Sequence, residues 1–159
     1  MRLEKHEDDA FSLIMSPVEW PEILALAKFA RAALAYDATA AYVVQVLTYV
    51  VSPRWDILGD QSTRAAFAAV DRLTADSVSD AVLRLPKEQM RQLLVMLGMA
   101  AESEDQAELV HNVEPEKFPH QFPDLGPSSQ AYAQLFDHLL EALYEGLSVN
   151  VRRPPSYRD

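Results

Sequence analysis

The chain has 159 residues, the length of one ordinary domain, with apolar residues at 49% and charged ones at 24%, which excludes wholesale disorder and a fibrous repeat. Fourteen basic residues against twenty-four acidic ones give a net charge of −10, a balance that gains nothing from counterion release and excludes general DNA or RNA binding. Without cysteine there is no disulfide, thiolate nucleophile or cysteine-ligated zinc.

No apolar run approaches the roughly 18 residues needed to span a bilayer, and the acidic start MRLEKHEDDA predicts neither a signal nor a transit peptide. The expected location is the cytoplasm, away from membranes. Arginine outnumbers lysine ten to four and alanine is abundant, a composition that suits a bacterial or phage genome. Four scattered glycines, Gly59, Gly98, Gly126 and Gly146, cannot form a phosphate-cradling loop, so Rossmann and P-loop folds are excluded.

In chain order, residues 1–15 read as a loose N-terminal segment whose Phe11, Leu13, Ile14 and Met15 dock on the body. Ser16-Pro17-Val18-Glu19 is a capping box, and a regular helix is expected over about 21–35 with Ile23, Leu24, Leu26, Ala27, Ala30 and Leu34 inward. Residues 41–52 are rich in β-branched side chains. Helical period still sorts them better, placing Ala41, Gln45, Thr48 and Ser52 on one polar stripe, and Pro53 ends the run. Ser62 caps a helix over about 63–75 containing Ala66, Phe67, Val70 and Leu73. A short helix with Val78, Ala81, Val82 and Leu85 on one face follows. Pro86 then opens a stronger one to about 103, carrying Met90, Leu93, Leu94, Leu97, Met99 and Ala101.

Residues 112–127 place Pro115, Pro119, Pro123 and Pro127 four apart, which forbids a helix and predicts an extended arm across the surface. The last helix has the clearest pattern. Tyr132, Leu135, Phe136, Leu139, Leu140, Leu143, Tyr144 and Leu147 follow helical spacing for four turns, and residues 150–159 form a flexible tail. The expected fold is all-α: an irregular bundle of five to seven helices in a single domain over 16–149, with the proline-rich arm before the last helix.

Three constellations bear on chemistry. Glu108 and His111 have the i, i+3 spacing of half a di-iron signature, but Leu135 stands where a second pair with His138 would need an acid. Asp137, His138 and Glu141 cluster on the outward side of the last helix below Ser128 and Ser129, yet no GxSxG elbow accompanies them. The third is the segment 102–124, where seven acids, Glu102, Glu104, Asp105, Glu108, Glu114, Glu116 and Asp124, face Lys117 alone. Clustered carboxylates speed encounter with a positive surface, and Phe118 and Phe122 supply apolar contacts that charge alone does not.

The sequence therefore points to a non-enzymatic interaction protein with no cofactor and no bound metal. Its partner is a protein with a basic surface, recognised through Glu102, Glu104, Asp105, Glu108, Glu114, Glu116, Phe118 and Phe122. An inhibitor or immunity protein, an assembly chaperone and a phage-encoded modulator all fit. The alternative is a metal-binding or hydrolytic helical bundle using Glu108 and His111. Mimicry of nucleic-acid charge fits poorly, because residues 61–85 are net neutral, with Asp71, Asp76 and Asp80 against Arg64, Arg72 and Arg84.

Overall fold

The computed structural model describes residues 1–35, 61–72, 79–102 and 128–152. Within them the elements run β1 (Arg2–Lys5), β2 (Ala10–Met15), α1 (Glu19–Ala35), α2 (Gln61–Asp71), β3 (Ala81–Pro86), α3 (Lys87–Glu102), α4 (Ser128–Glu145) and β4 (Val149–Asn150). The strands form one antiparallel sheet in the order β3-β2-β1-β4. This overturns the all-α expectation: the described residues form a mixed α/β fold of four helices and a four-stranded sheet, not a bundle of five to seven helices.

Residues 1–15 are not a loose end but a hairpin at the centre of that sheet. Its turn is a type I turn closed by a residue in the left-handed region, with Asp9 N–H donating to His6 O (3.3 Å), His6 N–H to Ala10 O (2.8 Å) and Asp9 at φ 62°. Asp8 Oδ1 accepts the Ala10 N–H at 3.3 Å, which reinforces the turn. Glycine is the residue that takes a positive φ without steric cost. Asp9→Gly is therefore expected to stabilise the fold by about 1 kcal/mol, raising the melting temperature by roughly 2–4 °C. A fall in melting temperature would show that the Asp9 side chain holds the turn.

Residues 81–85, read as part of a short helix with Val78, instead belong to β3, whose residues alternate strictly between buried and exposed. Helical spacing put Val82 on the buried face with Ala81 and Leu85, whereas in the strand Leu83 takes that place and Val82 is 56% exposed. Pro86 ends the strand rather than opening the helix, and α3 begins at Lys87 with no intervening loop.

The register aligns Leu3, Leu13 and Leu83 across three strands, with Phe11 beside Leu85 and Met15 beside Ala81. Together they form the inner face, and all are buried. Helix α3 lies at the centre of the helical layer, packed against α1, α2 and α4, with Met90, Leu93, Leu94, Met96 and Leu97 fully buried. At Gly98 an added Cβ would stand 3.5 Å from Phe136 Cβ, an ordinary packing distance between α3 and α4. Tyr132 stacks on Phe136, ring centroids 6.0 Å apart, and its hydroxyl donates to Glu22 Oε2, tying α4 to α1.

The capping box read from the sequence is present. Glu19 N–H donates to Ser16 Oγ and Ser16 N–H to Glu19 Oε1, each at 3.2 Å. Glu19 is itself buried, and its Oε2 lies 2.8 Å from the Met1 ammonium, which also donates to Val151 O at 3.1 Å. At its far end α4 stops at Gly146, φ 69°, in a Schellman motif: Leu147 N–H reaches Ala142 O at 2.9 Å and Gly146 N–H reaches Leu143 O at 3.2 Å. Because the helix ends there, Leu147 leaves the buried stripe that helical spacing assigned it, and Leu147 and Tyr144 are 54% and 60% exposed. The expected helix over 41–52 and the arm over 112–127 lie outside the described residues.

Candidate functional site

The β1–β2 turn, the β3–α3 junction and α4 converge on a depression of about 560 Å³ lined by Asp8, Asp9, Ala10, Pro86, Lys87, Glu88, Arg91 and Tyr144. Its charges are largely paired. Arg84 donates to Asp8 across the turn at 2.6 Å. Arg91 grips Glu88 with two bonds, Nε to Oε2 at 3.0 Å and a terminal nitrogen to Oε1 at 2.6 Å, and Tyr144 lines the depression beside it. The paired bonds of the planar guanidinium fix Arg91 against Glu88.

These bonds set the ionisation of the rim. The Arg84 hydrogen bond holds the Asp8 carboxyl below its ordinary range, the Arg91 hydrogen bond does the same for Glu88, and Glu88 in turn holds Arg91 above its ordinary value. Both carboxyls therefore contribute stability above the unfolded-state carboxylate pKa, and it is lost as pH falls through their depressed folded values. Both side chains are exposed and screened by solvent, so the loss is small. An NMR titration should place the midpoints of Asp8 and Glu88 below the ordinary 3.8 and 4.5, and Arg91→Gln should return Glu88 towards 4.5 while leaving Asp8 unchanged. A Glu88 midpoint indifferent to that substitution would refute the pairing as its cause.

Beside the depression, the outward side of α4 carries Asp137, Glu141 and Glu145, all exposed and spaced i, i+4, i+8 on one ridge. Among the described residues none of the three has an ion-pair partner. Like charges at this spacing cost about 0.2–0.5 kcal/mol per pair, and Glu145 adds a negative charge at the negative end of the helix dipole with no base in the last turn to offset it.

Of the residues expected to bind a partner, Glu102 is the exposed last residue of α3. Glu104, Asp105, Glu108, Glu114, Glu116, Phe118 and Phe122 lie outside the described residues, as does His111. Asp137, His138 and Glu141 are exposed on α4 as expected. Among the described residues no group of three or more His, Asp or Glu side chains is placed to hold a metal ion, and no helix is long and apolar enough to cross a membrane.

Sequence reasoning missed one polar pair. His6 Nε2 lies 2.6 Å from Ser12 Oγ on the outer face of the sheet. The bond is the first half of a base-activated serine, but Ser12 is only 3% exposed, and no carboxylate at His6 Nδ1 is found among the described residues. A substrate cannot reach this oxygen, and the pair serves to bury a polar atom in the middle of β2. The alternation of charged and apolar residues ahead of Glu7-Asp8-Asp9 was the signal that could have found the hairpin and, with it, the pair.

Comparison of the chain with known protein families, curated proteins and solved structures returns no match in any of the three.

Proposed function

We propose that the protein is a non-enzymatic interaction module of the cytoplasm that binds a protein with a basic surface, as an inhibitor or immunity protein, an assembly chaperone or a phage-encoded modulator would. The observation that carries this reading is the outward side of α4, where the exposed Tyr144 accompanies three carboxylates that have no ion-pair partner among the described residues, with Leu147 exposed one turn on. Carboxylates spaced at a cost to the helix are relieved when a partner's lysines or arginines approach them. The exposed ring offers an apolar contact, and it suits a cation lying over its face. The overall −10 and the acidic segment 102–124, with Phe118 and Phe122, favour the same class of partner.

A pull-down from the native host with mass spectrometry identifies the partner, and surface plasmon resonance then separates the two contributions. Tyr144→Ala should speed dissociation by roughly thirtyfold, about 2 kcal/mol, if the ring is a hot spot. Joint replacement of Asp137, Glu141 and Glu145 by Asn and Gln should slow association and flatten its salt dependence, because exposed charges act mainly on encounter. Phe118→Ala with Phe122→Ala reports on the acidic segment in the same assay. A partner whose affinity withstands all three folded variants would overturn the reading, and stoichiometric metal in the purified protein would favour the alternative enzyme using Glu108 and His111.

A further inference from the structure

We draw no further inference here: the strongest candidate, the outer edge of β3 at the end of the sheet beside the exposed Val82, carries nothing because no feature of the described residues shows what covers it.

Discussion

Leu13→Ala is expected to lower the unfolding free energy by about 2–5 kcal/mol, while Ile14→Ala, one position along, costs much less. Leu13 is fully buried, with Leu3 and Leu83 on either side in the register and the helical layer above, whereas Ile14 points to the opposite face and is only half-buried. The cavity left by removing a leucine there has no mobile neighbour to fill it, because both flanking side chains are anchored on paired strands. Urea titration measures the difference directly, and an unchanged slope shows that the native fold is retained. The same contrast is expected in β3, with Leu83→Ala costly and Val82→Ala close to neutral. Equal costs within each pair would contradict the two-residue alternation and the sheet with it.

Glu19→Ala should be of similar size, about 3–5 kcal/mol, because it strips the partner from a buried ammonium and opens the helix cap at once. Glu19 Oε2 receives no directed hydrogen bond and is held by the Met1 charge, while Oε1 serves the Ser16 N–H. Glu19→Gln divides the two effects, since glutamine is also accepted at this position of a capping box and keeps an oxygen for Ser16 but carries no charge. Thermal melts should rank the native protein above Glu19→Gln and Glu19→Ala lowest. If Glu19→Gln matches the native protein, the ion pair contributes nothing and only the cap matters.

The helices α1, α3 and α4 were legible because each is long enough for the 3.6-residue period to repeat. Ile23, Leu26 and Ala27 on α1 are buried as their spacing demands, and so are Leu93, Leu94 and Leu97 on α3 and Leu135, Phe136, Leu139 and Leu143 on α4. The strands were not legible, for two separate reasons. In β3, six residues are too few to tell the periods apart: Ala81 and Leu85 fit a helix face and a strand face equally well, and only Leu83, which a helix would turn outward and the strand buries, favours the strand. In β2 the alternation is erased because the outward positions Ala10 and Ile14 are themselves apolar, leaving Ser12 as the strand's one polar residue.

The depression escaped for a different reason. Its lining comes from residues 8–10, 86–91 and 144, and no local pattern links three such distant stretches until the sheet brings the first two together. The acids on α4 were visible in the sequence, but their significance depended on where the helix stops. Gly146 ends it one residue after Glu145, which leaves Leu147 exposed beyond the helix, near the exposed Tyr144.

The placement of β1 between β2 and β4 has a consequence for the nascent chain. The partner for its free edge, Val149–Asn150, lies far downstream in the chain, so at roughly 5–20 residues per second the hairpin waits with one edge open for about 7 to 30 seconds. An unpaired edge on a hairpin carrying Phe11, Leu13 and Met15 is a template for intermolecular pairing. Three of the four residues of β1, Arg2, Glu4 and Lys5, are charged, and a neighbouring chain that zipped onto this edge would have to bring its own strand up against them. The same charges leave β4 free to dock, because it meets β1 through Leu3 opposite Val149 and Arg2 opposite the uncharged Asn150. The charges of strand β1 thus disfavour edge-to-edge pairing with another chain at the one edge that Val149–Asn150 later covers.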